Sequence, residues 1–359
     1  MLENKKFEMD DSDKMEDSMN TQHPLWFPQA TWEPIVTPQN LGWSSSMLAI
    51  AQTYAQEIGS ASVMILHQGR LLAAWGDTAR PLNCHSIRKS LLSSLYGIHV
   101  QEGNLHLEMT LEELGIDDTE PRLSAQEKQA TIRDLLQSRS GVYHEASYET
   151  EWAKQTRPPR GSHLPGTFWY YNNWDFNVLG TILEHSVNQS VFTEFQKRIA
   201  IPLQMQDFRM EEQHYEWEPV SQHPAYVFRL SARDLARFGL LFLRRGNWQN
   251  QQLLPAAWVE ACTTAYSYDE CTDGFGYMWW VARNGILFPN LSLQEFAYAA
   301  KGYGGHYLVI IPAWDLIVVH RAETERPDGT VIDPGDPGYV TSPQFGTLLA
   351  LILEAYPHP

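Results

Sequence analysis

The 359-residue sequence contains little cysteine and no cysteine arrangement typical of a disulfide framework or a metal site. Its three cysteines, Cys84, Cys262 and Cys271, form no C-x-x-C pair, and an odd set of this kind favours free thiols in a reducing compartment. None of the 13 histidines occurs in an H-E-x-x-H or similarly paired spacing. We therefore expect no metal ion and no other cofactor.

Positive charge is also scarce, because the chain has 26 lysines and arginines against 43 aspartates and glutamates, a formal net charge of −17. Nucleic-acid-binding proteins need basic stripes, and anionic membrane surfaces attract basic segments, so this balance disfavours both partners. No run of 18 apolar residues occurs, and we therefore expect no helix that spans a membrane.

The first residues lack the apolar stretch of a secretory signal peptide. Two lysines, Lys5 and Lys6, are followed by an acidic tract that extends to about Asn20. We expect residues 1–20 to form a disordered acidic tail and the protein to be cytoplasmic.

Hydrophobic and aromatic residues are abundant, since 43% of the chain is hydrophobic and it has 13 Trp, 16 Tyr and 14 Phe. This content supports one large domain at residues 21–359. The spacing of the apolar residues predicts helices at 44–58, 86–100, 111–137, 174–186, 191–200, 231–244 and 345–356, and strands at 61–66, 71–75, 275–282, 296–301, 307–311 and 316–322.

Strands near both ends with helices between them predict an α+β fold, in which one antiparallel sheet is built from both chain termini. An α/β lobe would comprise residues of about 40–85 and 274–357, and a mostly helical lobe residues of about 86–273. The first and last helices would cover one face of the sheet. We expect the functional site in the cleft between the two lobes.

The segment Ser86-Ile87-Arg88-Lys89 opens the apolar helix predicted at 86–100. Residues three positions apart share one face of a helix, so Ser86 Oγ and Lys89 Nζ can form a hydrogen bond. A serine needs an adjacent base to become a nucleophile, and a lysine is such a base only when its pKa is lowered. The S-x-x-K pair therefore predicts nucleophilic catalysis by Ser86.

A second polar group lies in a loop that begins at Pro165-Gly166 and leads into the helix predicted at 174–186. A tyrosine phenol in such a loop can relay a proton to a leaving group, and an asparagine amide can orient the substrate or the lysine. Two Y-x-N patterns overlap here, and their spacing does not choose between them: Tyr170 with Asn172, and Tyr171 with Asn173.

Three glycines, Gly302, Gly304 and Gly305, follow the strand predicted at 296–301. Glycines at the end of a strand either allow close approach of the backbone to a ligand or twist an edge strand. In the first case, a backbone N–H from this segment would form an oxyanion hole with the N–H of Ser86. Each such donor contributes about 2.7–4 kcal/mol to catalysis.

Together and in this order, the three motifs resemble those of the serine β-lactamase and penicillin-binding-protein superfamily. The most similar branch is that of class C β-lactamase-like esterases and amidohydrolases, including family VIII carboxylesterases and nylon-oligomer hydrolases. The resemblance covers about residues 40–357. It is carried by the segments at 85–90, 135–141, 165–180, 230–239 and 302–312.

The resemblance implies a β-lactamase/transpeptidase-like fold and a role for each matching residue. The family pattern P-G-T-x-x-x-Y-x-N selects Tyr171 and Asn173, with Asn173 in the substrate site. By this resemblance, Ser86 is the acylated nucleophile, Lys89 is its base partner, and Tyr171 is the proton shuttle.

The third motif departs from the family pattern. Where the family has K-T-G or H-x-G, this chain has Ala300-Lys301-Gly302, and the N–H of the following Tyr303 is the implied second oxyanion donor. In penicillin-recognising members the first residue helps to hold the substrate carboxylate. Ala300 therefore disfavours β-lactams and favours esters or amides, unless Lys301 supplies the charge from the neighbouring position.

Two further residues are candidates for the site. Tyr143 follows the Ser-Gly break after the helix predicted at 111–137, and we expect it to line the entrance of the cleft. His306 follows the glycines, but a serine–histidine mechanism is not needed when Lys89 and Tyr171 are available.

The sequence therefore predicts a serine hydrolase that cleaves an ester or amide bond of a small molecule through an acyl-enzyme on Ser86. One alternative is a β-lactamase or D-Ala-D-Ala carboxypeptidase, which the lack of an export signal disfavours. The other is a catalytically silent binding protein with this fold, which the complete set of Ser86, Lys89, Tyr171 and Asn173 disfavours.

Overall fold

Strands from both ends of the chain form one seven-stranded antiparallel sheet. The structure is a computed structural model that describes residues 25–268 and 273–356. Across the sheet the strands follow in the order β2 (Arg70–Gly76), β1 (Ser60–His67), β13 (Leu316–Ala322), β12 (His306–Ile311), β11 (Tyr298–Gly302), β10 (Trp280–Val281) and β9 (Gly274–Phe275). Shorter pairs are formed by β3 (Leu82–Asn83) with β6 (Arg229–Leu230), β4 (His214–Glu216) with β5 (Ala225–Val227), and β7 (Asn247–Trp248) with β8 (Gln251–Gln252).

The helices of the described residues are α1 (Ser45–Glu57), α2 (Ile87–Gln101), α3 (Ile132–Leu136), α4 (Glu151–Thr156), α5 (Asn173–Val187), α6 (Val191–Phe195), α7 (Ala232–Leu243), α8 (Ala256–Cys262) and α9 (Ser342–Glu354). Side-chain caps fix the starts of the first and last helices: Ser44 accepts from the Met47 N–H at α1, and Thr341 forms a capping box with Gln344 at α9. In the described ranges, none of these helices has the length and apolar character to cross a bilayer.

The alternation of side chains along the sheet produces two hydrophobic cores. On one face, residues such as Ala299 and Val309 pack against α1 and α9. On the other face, residues such as Ala300 and Leu308 pack against α2 and α7. Helix α2 is buried all round, since every residue from Ile87 to His99 is buried. The start of this central helix is therefore held rigidly between the sheet and the other helices.

The predicted antiparallel sheet from both chain termini is confirmed, and the first and last helices do cover one of its faces. The long helix predicted at 111–137 is wrong, because only a 3₁₀ turn at Glu127–Gln129 and α3 are helical there. Gly115 adopts a left-handed φ of 66°. The carboxylates of Asp117 and Asp118 accept backbone N–H groups that a helix would have used.

The single strand predicted at 275–282 is divided into β9 and β10. Its interruption is a turn in which the Gly276 N–H donates to the Trp279 carbonyl and Met278 has a left-handed φ of 63°. The predicted tail at residues 1–20, and Cys271, lie outside the described residues. The lobe boundaries near residues 86 and 273 stay predictions.

Candidate active site

Ser86 lies where the chain turns from β3 into α2. The residues before it are fixed by backbone contacts, since the Cys84 N–H donates to the Phe228 carbonyl and the His85 N–H donates to Asn83 Oδ1. His85 has a φ of 44°, a rare conformation for a residue with a side chain. Ser86 is the N-cap of α2, but its side chain makes no capping bond, which leaves Oγ free to meet another group.

Lys89 lies in the first turn of α2, and its Nζ is 2.7 Å from Ser86 Oγ. The lysine is buried, with 3% of its surface exposed. Burial, together with the positive charge of Arg88, lowers the pKa of the Lys89 amine well below 10.5, although Glu149 acts in the opposite direction. A neutral amine at hydrogen-bond distance can accept the proton of the serine hydroxyl.

Tyr171 is the third side chain at the contact between Ser86 and Lys89. The Nζ of Lys89 lies 4.9 Å from the centroid of the Tyr171 ring and 5.0 Å from that of Phe176. Burial raises the pKa of the Tyr171 hydroxyl to about 12, despite a hydrogen bond with the Ser86 side chain and the charge of Arg88, which both lower it. The hydroxyl is therefore protonated at neutral pH and can donate.

The two overlapping Y-x-N patterns occupy different environments. The Tyr170 hydroxyl donates to the Ala153 carbonyl at 2.7 Å, and Asn172 Nδ2 donates to the Val142 carbonyl, so both side chains hold loops together. Asn173 is the first residue of α5 and is buried, and its role at the substrate stays a prediction. The structure places the tyrosine of the second pattern, Tyr171, beside Ser86.

Gly302 brings the end of β11 against the segment that carries Ser86. A Cβ at Gly302 would lie 2.7 Å from the Cys84 carbonyl oxygen, so a larger residue does not fit. The chain then turns through Tyr303, whose ring centroid lies 5.7 Å from that of His85. Among residues 25–268 and 273–356, the backbone N–H groups of Ser86 and Tyr303 have no acceptor. Two unpartnered donors on adjoining segments can serve as an oxyanion hole.

Ala300 and Lys301 lie on opposite faces of the sheet, because successive side chains of a strand alternate. Ala300 belongs to the core beside α2, on the side of Ser86. Lys301 Nζ is on the other side, where it donates to Asp273 Oδ2 at 2.5 Å and to the Leu287 carbonyl at 2.6 Å. Lys301 therefore does not replace the charge that Ala300 lacks.

Tyr143 and His306 have other partners. The Tyr143 hydroxyl is 3.0 Å from His163 Nδ1, and its ring packs on Tyr170, so its contacts in the described chain do not include Ser86; its role at the substrate stays a prediction. His306 Nδ1 accepts a hydrogen bond from Arg321 Nε at 2.8 Å. Burial and the charge of Arg321 lower the pKa of His306 well below 6.5, so this ring is neutral and structural.

Sequence reasoning missed the polar groups that hold the segment carrying Ser86 in place. His85 Nε2 is 2.7 Å from Thr324 Oγ1, and His85 Nδ1 is 3.2 Å from the Tyr148 hydroxyl. The fully buried Arg321 donates to the carbonyls of Leu230 and Leu82, which joins β3 and β6 to the sheet. An arginine inside the apolar strand predicted at 316–322 was the available signal.

Arg88 was also missed as a functional candidate. It is 1% exposed, although its charge interrupts an apolar helix, and that interruption was visible in the sequence. Its guanidinium donates to Asn177 Oδ1 at 2.8 Å.

The geometry of the site can now be compared with known proteins. The model of the Beta-lactamase family matches the sequence over residues 48–333, which is most of the chain. The chain belongs to the β-lactamase family. A search of curated protein sequences found no match to it.

Solved structures with the same β-lactamase/transpeptidase-like fold come from several organisms. A Bacillus anthracis protein named as a 6-aminohexanoate-dimer hydrolase has 18% identity and a TM-score of 0.61, covering 84% of this chain and 80% of its own. The octameric penicillin-binding protein homologue of Pyrococcus abyssi has 18% identity and a TM-score of 0.60, covering 86% and 76%. A β-lactamase from Mycobacterium bovis has 19% identity and a TM-score of 0.57, covering 86% and 99%.

At these identities the solved structures establish the fold alone. They confirm the fold predicted from the three motifs, and the family match confirms the resemblance on which the assignment of roles depends.

Proposed function

We propose that this chain is a serine hydrolase that cleaves an ester or amide bond of a small molecule through an acyl-enzyme on Ser86. The observation that carries the proposal is the 2.7 Å separation of Lys89 Nζ and Ser86 Oγ, with the lysine buried and its pKa lowered. Membership in the β-lactamase family supports hydrolysis, because similar structures include proteins named as a 6-aminohexanoate-dimer hydrolase and a β-lactamase.

The proposed acylation begins when Ser86 Oγ forms a bond to the substrate carbonyl carbon. Its proton moves to the neutral Lys89 amine, and the carbonyl electron pair moves to the oxygen. The resulting oxyanion accepts hydrogen bonds from the N–H groups of Ser86 and Tyr303, which are free for this purpose.

Collapse of the tetrahedral intermediate breaks the bond between carbonyl carbon and leaving group. The leaving group takes a proton from the Tyr171 hydroxyl, which regains one from the Lys89 ammonium. Water then attacks the acyl carbonyl carbon and gives a proton to Lys89. Collapse of this second tetrahedral intermediate breaks its bond to Ser86 Oγ, which takes the proton from the Lys89 ammonium and restores the neutral amine. The protonated Tyr171, with a pKa raised to about 12, suits this donor role.

The proposed substrate carries no carboxylate close to the scissile bond. The position that holds a substrate carboxylate in penicillin-recognising relatives is Ala300 here, and the neighbouring Lys301 is paired with Asp273 on the far face. Esters and amides of neutral acyl groups meet this condition.

The test of the proposal is hydrolysis of short-chain p-nitrophenyl esters by the wild type and by Ser86→Ala. We expect turnover by the wild type and none above background in the variant, with an unchanged circular dichroism spectrum. Turnover that persists in folded Ser86→Ala would contradict the mechanism.

β-Lactam hydrolysis is the second candidate, because the matching family model and the Mycobacterium bovis neighbour both carry that name. A chromogenic cephalosporin distinguishes the two candidates in the same assay. Cephalosporin turnover that exceeds ester turnover and requires Ser86 would favour the β-lactamase and would contradict our assignment of substrate class.

The buried thiols and the acidic charge balance bear on where the protein works and on what it binds. Cys84 and Cys262 are both buried free thiols, which supports our proposal that the protein works in the reducing cytoplasm. The acidic charge balance supports a small molecule, rather than a nucleic acid or a membrane, as its partner.

A further inference from the structure

Arg88 is a buried cation, and no carboxylate of residues 25–268 and 273–356 forms an ion pair with it. Its side chain is 1% exposed, Nη2 donates to Asn177 Oδ1 at 2.8 Å, and the guanidinium carbon lies 4.4 Å from the centroid of the Tyr226 ring. Its Nε and Nη1 have no hydrogen-bond partner in the described part of the chain. A buried charge in this state destabilises a fold, so packing alone does not explain an arginine here.

Arg88 and its neighbour Lys89 reach the same turn of α5. Lys89 Nζ lies 5.0 Å from the centroid of the Phe176 ring, and Arg88 contacts the next residue, Asn177. Adjacent helical residues point in different directions, so the two cations do not touch. They repel each other through a buried region of low dielectric, where charge interactions extend further than in water.

Of two buried cations that repel, the lysine is the one that loses its proton, because the arginine guanidinium retains its charge in proteins. We propose that Arg88 is a positioning residue of the serine–lysine pair, whose guanidinium adds to the effect of burial and favours the uncharged Lys89 amine that can act as a base. This inference rests on the proposed function, because that function assigns the base to Lys89.

The other titratable groups around the pair leave this assignment intact. The elements around α2 present histidines, acids, tyrosines and one thiol. These groups are His85, His306, His99, Glu149, Asp175, Glu194, Tyr148, Tyr171, Tyr226, Tyr298 on β11 and Cys262 on α8.

Burial disfavours the charged form of several of these groups. Burial lowers the pKa of His85 to about 3 and raises that of Tyr171 to about 12, and it raises the pKa of Asp175 well above 3.8. Glu149 is the acid that favours a Lys89 ammonium ion, and it is itself paired with Arg157. Arg88 is thus the charge that opposes protonation of Lys89.

The direct test is an NMR titration of the Lys89 side-chain nitrogen in protein labelled with ¹⁵N-lysine, with the resonance assigned by its absence from Lys89→Met. We expect Arg88→Met, which removes the charge but keeps the side-chain length, to move this titration to higher pH. An unchanged titration in Arg88→Met would overturn the inference. Arg88→Gln, which can still bond to Asn177, answers the same question if the methionine variant fails to fold.

Arg237 supplies the matched control. It is also fully buried. It donates to the carbonyls of Leu203 and Gln29 and lies over the Trp32 ring, and none of these three partners belongs to the site. We expect Arg237→Met to lower stability and to leave the Lys89 titration where it is. An equal shift in both variants would show a general effect of losing a buried arginine and would overturn the inference.

The catalytic readout is the pH profile of kcat/KM for a p-nitrophenyl ester. In Arg88→Met we expect the acidic limb to move to higher pH, with a several-fold loss of kcat/KM at the wild-type midpoint and recovery under alkaline conditions. A loss that is equal at every pH would indicate a merely structural role. Failure of the proposed function is separately visible, as turnover in Ser86→Ala, and the NMR titration does not depend on turnover.

Discussion

Lys89 Nζ and Ser86 Oγ are 2.7 Å apart at the start of a helix that is buried on all sides. The distance alone would also suit an ammonium ion that donates to the serine. Burial and the charge of Arg88 favour the neutral amine instead. The same interactions that favour the neutral amine lower the stability of the folded state. A lysine in the unfolded chain is protonated at neutral pH, so folding must displace that proton.

The pH dependence of catalysis should follow the protonation of Lys89. Only the neutral amine accepts the serine proton, so kcat/KM for an ester should rise with pH through the lowered pKa of Lys89 and then level off. The pKa of Tyr171, raised to about 12, places the loss of its proton at strongly alkaline pH. Activity that is highest in acid would exclude Lys89 as the base.

Replacing Lys89 should stabilise the protein while it abolishes turnover. The folded pKa of Lys89 lies below its ordinary 10.5, so the unfolded chain binds an extra proton between these values, and wild-type stability rises with pH across that window. Lys89→Met removes this cost and should raise the free energy of unfolding at neutral pH. The difference from the wild type should shrink by about 1.4 kcal/mol per pH unit as the pH rises through this window towards 10.5. Melting temperatures across the pH range measure this, and a less stable methionine variant at neutral pH would refute it.

The neighbouring tyrosines Tyr170 and Tyr171 form a matched pair of tests. Tyr171→Phe removes the hydroxyl beside Ser86 and should lower kcat by about 10²–10⁴-fold. Tyr170→Phe removes the hydrogen bond to the Ala153 carbonyl, which should cost about 1 kcal/mol of stability and leave kcat near the wild-type value. Steady-state kinetics and thermal melts separate the two, and the reverse pattern would assign the proton donor to Tyr170.

Gly302 should be intolerant of a methyl group because of its contact with the nucleophile segment. A Cβ there would meet the Cys84 carbonyl oxygen at 2.7 Å and push Tyr303 away from Ser86. Gly302→Ala should therefore lower kcat by about 10²–10³-fold, the effect of losing one oxyanion donor. Gly103→Ala is the control for backbone strain away from the site: its Cβ meets nothing within 4 Å, but its φ of 77° disfavours alanine, so it should lower stability and leave kcat unchanged. Equal kcat values in both variants would show that the turn after β11, with Tyr303, does not contribute to the oxyanion hole.

Lys301 should matter to stability and not to catalysis. Lys301→Met leaves Asp273 without its buried partner and should cost up to about 3 kcal/mol, measured by denaturant unfolding. Below the melting range, kcat/KM for a neutral ester should match the wild type, because Lys301 faces away from Ser86. A selective rise in KM without loss of stability would place Lys301 in the substrate site.

Local spacing in the sequence was sufficient to predict the contact between Ser86 and Lys89, because residues three positions apart share one face of a helix whatever surrounds them. It was not sufficient for the two tyrosines. Tyr170 and Tyr171 are adjacent in a loop, where no periodicity states which side chain turns inward, and only the family pattern distinguished them. For Ala300 and Lys301, strand alternation predicted opposite faces, but which face looks towards α2 depends on the assembled sheet.

The segment at 111–137 shows how tertiary contacts replace local preference. Asp118 is buried there and accepts hydrogen bonds from Trp174 Nε1 and the Ser221 hydroxyl, residues far along the chain. Helix-forming composition in the sequence carries no information about such partners. Arg88 was missed for the related reason that its surroundings, Asn177 and Tyr226, become its neighbours only in the folded chain.

The most direct test of the central claim is the mass of the intact protein after reaction with a serine-directed fluorophosphonate, followed by mapping of the modified peptide. An activated Ser86 should give one adduct, on the peptide that contains Ser86, and Ser86→Ala should give none. An unmodified wild type, or an adduct that persists in Ser86→Ala, would contradict the account and would leave a β-lactamase-family fold without an activated serine at this position.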